Sequence, residues 1–307
     1  MKEFDQINAL DNRLQKELQQ LVRIAIWEDF QDGIDLTTLS LVPESAIGSA
    51  QIKTRQTGIA CGLALLPAII AEAESRISVD VSLTDGERIE PGMALCTLRG
   101  NVRDLLSLER ILLNFIGRLC GIATSTGEYA KRTIGSHAQV YDTRKTTPGW
   151  RFLEKYAVKC GGGRNHRMGL CDAILIKDNH LAFHTDVNAP PLSPSQAIRA
   201  AREFLATWPD AKKASAIIEI EVDNLFQLDD ALPERPDIVL LDNMSLENLC
   251  QAVQRRNHLA PEVQLEASGG VRLDTIAAIA TTGVDRISVG ALTHSAINLD
   301  IGLDWLD

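Results

Sequence analysis

Aromatic residues are scarce in this sequence, and its cysteine and histidine residues lack the spacing of a metal site. Phe, Trp and Tyr make up only 5% of the 307 residues, so a core must consist mainly of Leu, Ile, Val and Ala. The six cysteines are scattered without a C-x-x-C pair, which indicates reduced thiols rather than disulfides or a zinc site. No H-E-x-x-H, G-x-x-x-x-G-K-S/T or Ser-His-Asp signature is present. These absences argue against a protein-built zinc site, a P-loop and a Ser-His-Asp triad.

Long apolar runs are also missing. The longest, from Gly58 to Ala71, is interrupted by Pro67 and falls short of the roughly 20 residues that a membrane span needs. The first 20 residues contain no apolar signal core, so nothing in them argues for export. We therefore expect a cytoplasmic protein without a membrane partner.

The charge is unevenly distributed. The net charge of −10 disfavours general nucleic-acid binding. Between Asp142 and His180, however, eight Lys and Arg residues face four acidic residues, a local net charge of +4. A basic segment within an acidic chain suits a small anionic ligand better than a polymer.

The first 125 residues combine helical and strand patterns. Apolar residues at helical spacing predict an amphipathic helix over residues 7–24, and a second helix is predicted over 63–74. Short strand-like runs and turn signals occupy residues 48–100, and Asn101 is a suitable N-cap for a long helix. We interpret residues 1–125 as a small α+β domain.

Residues 126–307 show a different pattern of apolar and polar segments. Six apolar runs of strand length alternate with helical segments, and several of the helices carry start signals such as Ser193-Pro194 and Ser245. Strands that are apolar throughout favour a parallel sheet covered on both faces. The pattern predicts an open α/β barrel, either incomplete or with further strands that are not visible in the sequence. The six runs are 139–145, 173–180, 216–224, 237–243, 263–270 and 286–291.

Polar or glycine residues end every one of these six runs. A single charged residue at a strand end often lies there only because loops are solvated, but six consecutive cases indicate a site at the carboxyl ends of the strands. The residues concerned are Arg144, Lys145, Lys177, Glu221, Asp242, Ser268, Gly269, Gly270 and Gly290.

These residues suggest how an anion could be bound. An arginine guanidinium can bind a carboxylate through two parallel hydrogen bonds. Arg144, Arg167 and Lys177 together would therefore suit a dicarboxylate. The alternative is that they form surface salt bridges with nearby aspartates. The Ser268-Gly269-Gly270 turn, followed by a helix expected near Arg272, would present backbone N–H groups to a phosphate. Glu221 and Asp242 could hold a sugar diol, or Mg²⁺ that also binds substrate phosphates.

Several segments carry motifs long enough to be specific. They are LERILLNFIGRLCGIAT (108–124), DTRKTTPGWRFLEKYAVKCGGGRNHRMGL (142–170), LIKDNH (175–180), EIEVDN (219–224), LLDNM (240–244), LEASGGV (265–271) and ISVGALTHSA (287–296). Together they resemble the quinolinate phosphoribosyltransferases, the carboxylating nicotinate-nucleotide pyrophosphorylases of NAD biosynthesis. Two departures concern loop shape only: Cys120 stands where a serine is common, and the segment 182–195 looks longer than usual.

The resemblance implies a pentosyltransferase with an open α/β barrel of the type II phosphoribosyltransferase kind. Such an enzyme would use Mg²⁺, act on quinolinate and phosphoribosyl pyrophosphate, and form a homodimer or larger homo-oligomer with shared active sites. The resemblance assigns the carboxylates of quinolinate to Arg144, His166, Arg167 and Lys177, with Arg110 reaching in from the neighbouring subunit. It assigns the ribose and phosphates to Lys145, Glu221, Asp242, Ser268, Gly269, Gly270, Val289, Gly290 and Ala291, among which Lys145, Glu221 and Asp242 would be catalytic. Thr143 would be a further substrate ligand.

Three alternatives remain open from the sequence. A phosphoribosyltransferase-like protein of the molybdenum-transport type shares parts of these motifs. A barrel aldolase could use Lys145 or Lys177 as a Schiff base, and an anion-binding barrel could lack catalysis altogether.

Overall fold

The computed structural model describes residues 2–31, 33–183, 191–210 and 216–306. The helices are α1 (Asn12–Phe30), α2 (Leu36–Leu41), α3 (Leu66–Glu72), α4 (Val102–Arg132), α5 (Arg151–Cys160), α6 (Asp178–Ala182), α7 (Pro194–Ala206), α8 (Leu225–Ala231), α9 (Leu246–Leu259), α10 (Ile276–Ala280) and α11 (Ala291–His294). The strands are β1 (Ile47–Thr54), β2 (Gly58–Ile59), β3 (Ser78–Val81), β4 (Arg88–Ile89), β5 (Ala94–Asn101), β6 (Gln139–Tyr141), β7 (Ala173–Ile176), β8 (Ile217–Val222), β9 (Ile238–Asp242), β10 (Gln264–Ser268), β11 (Arg286–Ser288) and β12 (Ile301–Trp305).

Contacts divide the chain into two compact units. Unit 1 contains the residues up to Asp5 together with Tyr129–Arg144 and Arg164–Gly290. Unit 2 contains Gln6–Glu128, Lys145–Gly163 and the residues from Ala291 onward. The division by contacts does not follow the continuous chain, and the boundary near residue 125 stays a prediction.

Unit 1 is built on a six-stranded parallel sheet. The strand order is β6-β11-β10-β9-β8-β7, so β7 to β11 lie side by side in chain order and β6 adds to the far edge. All six predicted strands are present, and every pairing between them is parallel. Within the described residues β6 and β7 end the sheet and do not pair with each other, so the sheet is open. The predicted α/β class with an open parallel sheet and a smaller N-terminal α+β part is confirmed.

The helix start signals of unit 1 act as the sequence predicts. Ser193 caps α7 by accepting a hydrogen bond from the backbone N–H of Gln196, and the Gln196 side chain accepts from the N–H of Ser193 in return. Ser245 caps α9 through its Oγ, which accepts from the N–H of Asn248. These bonds satisfy donors that the first turn of a helix leaves without a partner.

Unit 2 contains two antiparallel sheets and most of the long helix α4. Its four-stranded sheet has the order β12-β1-β5-β3, and β2 pairs with β4. Asn101 caps the first turn of α4 as predicted, because its side chain accepts from the N–H of Arg103. None of the helices in the described ranges combines the length and apolarity that crossing a membrane demands.

Three predicted helix boundaries are wrong. The first helix begins at Asn12 rather than Ile7, because the Asp11 carboxylate accepts from the N–H of Arg13 and caps the helix there. The helix predicted over 63–74 is a 3₁₀ turn (Leu63–Leu65) followed by α3. The helix expected near Arg272 begins at Ile276, since Thr275 Oγ1 accepts from the N–H of Arg272 and holds a turn before it. Part of the predicted long segment, residues 184–190, lies outside the described residues.

Candidate functional site

Strand register in unit 1 places the polar residues of neighbouring strands in a row on one face of the sheet. Residues that pair across two adjacent strands point to the same side of the sheet, and residues two positions apart along one strand also share a face. Glu221 pairs with Leu240, two residues before Asp242, and Asp242 pairs with Ser268. Glu221, Asp242 and Ser268 therefore line the same face at the carboxyl ends of β8, β9 and β10. We call Lys177, Glu221, Asp242 and Ser268 the upper row.

The upper row joins a cation to two carboxylates and a hydroxyl. The Lys177 ammonium forms an ion pair with Oε2 of Glu221, and both side chains are partly exposed. Asp242 accepts one hydrogen bond from Asn243, at 2.7 Å between Oδ2 and Nδ2. This arrangement can bind a sugar diol through its carboxylates and an anionic group through its lysine.

The glycine pair after β10 has different roles at its two positions. Gly269 has φ +89°, and a Cβ there would lie 2.2 Å from Oδ1 of Asn243. Gly270 has φ +59° and a Cβ would meet nothing within 4 Å. Position 269 thus requires glycine for packing against the turn after β9, whereas Gly270 is exposed beside the upper row and leaves room for a ligand to approach the backbone.

A buried aspartate organises the segment that follows Gly163. Asp142 is fully buried, and its carboxylate accepts from Asn165 Nδ2 at 2.7 Å and from the N–H of His166 at 2.9 Å. The backbone of Arg164 forms a parallel bridge with Tyr141, the last residue of β6. Asp142 is therefore a support for the loop, and its predicted alternative role in a surface salt bridge is wrong. Lys177 also pairs with Glu221 rather than with a nearby aspartate.

His166 belongs to a buried charge network on the same face of the sheet, one layer below the upper row. Its Nε2 lies 3.1 Å from Oε2 of Glu219 and 3.5 Å from Oε1 of Glu266. Arg286 donates from Nε to Oε2 of Glu266 at 2.7 Å. All four residues, His166, Glu219, Glu266 and Arg286, are at most 6% exposed. We call them the buried network.

The charges of the buried network compensate one another. Burial alone would lower the pKa of His166, but the carboxylates of Glu219 and Glu266 outweigh it and raise that pKa above its ordinary value. Burial would raise the pKa of Glu219, yet the neighbouring His166 and Arg286 lower it. The network thus holds two carboxylates opposite an arginine and a histidine whose protonated form is favoured.

An N-terminal aromatic residue covers this network. Phe4 is 6% exposed, and its ring stacks on His166 with the centroids 4.5 Å apart. It also lies 4.9 Å from the guanidinium carbon of Arg286, and it packs against Ala173, Ile217 and Ile238 at the beginnings of β7, β8 and β9. Phe4 therefore closes the amino-terminal end of the sheet and fixes the His166 ring.

Arg167 and Arg144 are two cations in different environments. Arg167 is 7% exposed and donates to the Ala173 carbonyl oxygen at 3.2 Å. Burial lowers its pKa, and the charge of Arg144 acts in the same direction against the opposing effect of Glu219. Arg144 is exposed, and the described residues give it no hydrogen bond or ion pair. An anionic ligand would relieve the repulsion between the two.

The remaining predicted site residues divide between the units. Thr143, Val289 and Gly290 lie in unit 1 with the upper row, and the N–H of Val289 donates to the Tyr141 carbonyl at 2.9 Å. Arg110, Lys145 and Ala291 lie in unit 2. Arg110 is exposed on α4, and the Lys145 carbonyl accepts from Thr293 Oγ1 at 2.7 Å.

The triple glycine at 161–163 has a packing role within unit 2. A Cβ at Gly161 would lie 2.3 Å from the Ala123 carbonyl, and one at Gly163 would lie 2.8 Å from Cγ2 of Thr126. Gly162 has φ +86° and forms the turn after α5. The close approach of α4 explains why three glycines follow a helix end that needs only one.

Sequence reasoning missed Phe4, Glu219, Glu266 and Arg286. A signal existed for three of them, because Glu219 and Glu266 place a charge inside a run of apolar strand residues and Arg286 begins such a run. Buried charges of this kind are expected only when paired. Their partners, however, lie on other strands and could not be named from the sequence.

Comparison with known proteins finds matches over most of the chain. The N-terminal domain of quinolinate phosphoribosyl transferase matches residues 35–120, and its C-terminal domain matches residues 122–304. The nicotinate-nucleotide pyrophosphorylase [carboxylating] of Mycobacterium leprae is 41% identical over 92% of this chain and 95% of its own length. The probable enzyme of the same name from Bacillus subtilis is 37% identical over 94% of this chain and 93% of its own length.

Solved structures give the same result. The nicotinate-nucleotide pyrophosphorylase from Francisella tularensis superposes with a TM-score of 0.86 at 36% identity, covering 99% of this chain and 100% of that protein. The resemblance found in the motifs is thereby confirmed. On the match of both domains and of relatives over more than nine-tenths of their length, this chain belongs to the quinolinate phosphoribosyltransferase family.

Proposed function

We propose that this protein transfers phosphoribose from phosphoribosyl pyrophosphate to the ring nitrogen of quinolinate, with loss of pyrophosphate and CO₂, to give nicotinate mononucleotide. The observation that carries the proposal is the upper row, which sets Lys177, Glu221, Asp242 and Ser268 on one face at the carboxyl ends of four strands. Membership of the family favours this activity over a transport-type relative, an aldolase or a silent anion-binding barrel.

The dicarboxylate substrate is assigned to the basic residues. Arg144 has no bonding partner among the described residues, and Arg167 is buried beside it at an electrostatic cost. Two carboxylates would pair with these arginines and with Lys177. His166 would orient this group, since the buried network and Phe4 hold its ring.

Phosphoribosyl pyrophosphate is assigned to the carboxylates and the glycine turn. Glu221 and Asp242 would bind the ribose diol, and Ser268 with Gly269 and Gly270 would bind phosphate through the hydroxyl and exposed backbone. We retain Lys145, Val289, Gly290 and Ala291 as further ligands of the ribose and phosphates, and Thr143 as a further substrate ligand.

The chemistry requires charge stabilisation rather than a covalent intermediate. As the bond from the sugar carbon to pyrophosphate breaks, positive charge grows on the carbon, where Glu221 and Asp242 would stabilise it, and negative charge grows on the leaving group. Holding the ring nitrogen in line with that carbon supplies proximity. The adjacent carboxylate then leaves as CO₂, because the quaternised nitrogen stabilises the ylide that remains, and the ylide carbon takes up a proton from solvent to give nicotinate mononucleotide.

The donor set of the upper row also fits Mg²⁺. This ion prefers oxygen ligands and is often held by one or two carboxylates together with substrate phosphates. Asp242 uses one oxygen for Asn243 and keeps the other for a ligand, and Glu221 would be available once Lys177 engages substrate. When bound there, Mg²⁺ would neutralise charge on pyrophosphate.

The activity is tested directly by its products. The protein is mixed with quinolinate carrying a labelled 2-carboxylate, phosphoribosyl pyrophosphate and Mg²⁺, and the products are identified by mass spectrometry. Nicotinate mononucleotide and labelled CO₂ should form in equal amounts. A nucleotide that retains both carboxylates, or no nucleotide at all, would contradict the proposal.

Replacing either carboxylate of the upper row should impair turnover. Glu221→Gln and Asp242→Asn are expected to lower kcat at least about tenfold with unchanged melting, because each removes charge facing the sugar carbon. Glu247→Gln, an exposed position on α9, is the matched control. Near-normal rates in both variants would show that these carboxylates merely end strands.

We propose that two copies of the chain share active sites through Arg110. The residue is exposed on α4, and unit 2 also exposes Trp27 and Leu41, which are 63% and 76% accessible and could be covered by a second copy. Arg110→Ala is expected to fold and to lose at least about tenfold in kcat/KM, whereas Arg99→Ala, another exposed arginine of unit 2, should not.

Subunit exchange tests the sharing itself. Mixing Arg110→Ala with Lys177→Ala should restore activity, because one site of each heterodimer would receive both native side chains. If subunits demonstrably exchange and activity stays absent, Arg110 acts within its own chain or not at all.

The cytoplasmic location stays a prediction.

A further inference from the structure

Two cysteines and an aspartate from distant parts of the chain meet within unit 2. Cys61 follows β2, Asp85 lies in the turn before β4, and Cys160 is the last residue of α5. Both sulfur atoms and a carboxylate oxygen of Asp85 lie within 4.8 Å of one another. The three residues have no motif spacing in the sequence, so only the fold brings them together.

The surrounding residues hold these groups in place. The Asp85 carboxylate accepts from the N–H of Leu63 at 2.9 Å and from the Tyr156 hydroxyl at 2.7 Å. The N–H of Cys61 donates to the sulfur of Cys120 at 3.2 Å. Outer hydrogen bonds of this kind orient ligands at metal sites. Cys61 is fully buried, whereas Asp85 and Cys160 are partly exposed, which leaves a path from solvent.

The local charge favours a cation over a reactive thiolate. Reactive cysteines lie in electropositive surroundings, often at a helix N-terminus. Cys160 instead ends the ten-residue helix α5, where the helix dipole is negative, and it lies beside the Asp85 carboxylate.

We propose that Cys61, Cys160 and Asp85 bind a divalent cation of the zinc class. Two thiolates and one carboxylate select such an ion over Mg²⁺, and water would complete a tetrahedral set. Binding forms two metal–sulfur bonds and releases the two thiol protons to solvent, so affinity should fall as the pH falls. This site is separate from the upper row and does not rest on the proposed enzymatic activity.

A second group of potential ligands, His166, Glu219 and Glu266, does not need an ion. Arg286 already pairs with Glu266, and the pKa of His166 is raised, so the buried network is balanced by its own cations. The group at Cys61 has no comparable guanidinium or imidazole among its hydrogen-bonding partners in the described residues.

Cobalt provides a spectroscopic test on the full chain. Co²⁺ is titrated into protein kept reduced with a phosphine. One equivalent should produce the visible bands of tetrahedral cobalt and a thiolate-to-cobalt charge-transfer band, and Zn²⁺ should displace both. Cys61→Ser and Cys160→Ser should each weaken binding at least about a hundredfold, since loss of even an outer partner typically costs about 10–100-fold.

Further variants keep the test independent of folding. Asp85→Asn should retain charge transfer but shift the visible bands and weaken binding, and Cys250→Ser, an exposed cysteine on α9, should bind as the native chain does. Circular dichroism verifies that each variant is folded. The proposal is overturned if the charge-transfer band is absent from the native protein or survives in both folded serine variants. Formation of a Cys61–Cys160 disulfide by peroxide with no cobalt band would assign the pair to redox chemistry instead.

Discussion

Nicotinate is expected to react with phosphoribosyl pyrophosphate at most about one-thirtieth as well as quinolinate, measured as kcat/KM. Nicotinate lacks the second carboxylate, so a cation meant for that group would remain unpaired in the complex, at a cost of roughly 2–5 kcal/mol. Arg167 is buried, so water cannot easily solvate its charge in place of the missing carboxylate, and the free-energy cost of leaving it unpaired is therefore large. The two acids yield the same nucleotide, and only quinolinate releases CO₂, so one chromatographic assay compares them.

A variant makes this comparison specific. Arg144→Gln removes a cation without a partner in the described residues and should reduce the rate with quinolinate far more than the rate with nicotinate. The ratio of kcat/KM for quinolinate to kcat/KM for nicotinate should therefore be smaller in this variant than in the native protein. Equal kcat/KM values for both acids in the native protein would refute the assignment of two carboxylates to the basic residues.

Replacing Arg286 is expected to destabilise the fold by about 3–5 kcal/mol, as measured by denaturant unfolding. Arg286 and Glu266 are 1% and 0% exposed, and Arg286→Met keeps most of the volume while leaving Glu266 as a buried carboxylate without its guanidinium. The guanidinium carbon also lies 3.7 Å from the ring centroid of Tyr141, a contact that methionine keeps only in part.

The same measurement on a double variant separates charge from packing. Arg286→Met combined with Glu266→Gln removes both charges and should recover part of the lost stability, because an unpaired buried charge costs more than the absence of the pair. Arg272→Met, which breaks an exposed pair with Asp274, should leave the unfolding midpoint unchanged. If Arg286→Met unfolds like the native protein, the buried network does not stabilise unit 1.

Local signals in the sequence predicted much of the fold. The caps at Asn101, Ser193 and Ser245 depend on side chains and N–H groups two or three residues apart, so they can be recognised in one stretch of chain. The first helix shows the limit of such reasoning. Its apolar period continues back to Ile7, but Asp11 ends the pattern by capping the helix, and Leu10 is 87% exposed.

The upper row was foreseeable because parallel strands expose their carboxyl ends together. Lys177, Glu221, Asp242 and Ser268 each stand at the end of an apolar run, and the alternation of strands and helices indicates that these ends share one edge. The pairing of Lys177 with Glu221 was not foreseeable, since nearby Asp178 was an equal candidate.

By itself, the sequence determined most of the helices and strands, the parallel class of the sheet, the edge that carries the polar residues and the family. Only the tertiary structure decided which distant side chains meet. It pairs Arg286 with Glu266 and His166 with Glu219, and it places the Phe4 ring against His166 and Arg286. It also brings Cys61 beside Cys160 and Asp85. The physical reason is the range of the interactions. Caps and apolar periods act within a few residues, whereas a buried ion pair depends on strand order and register, and in this sheet β6 lies next to β11 rather than next to β7.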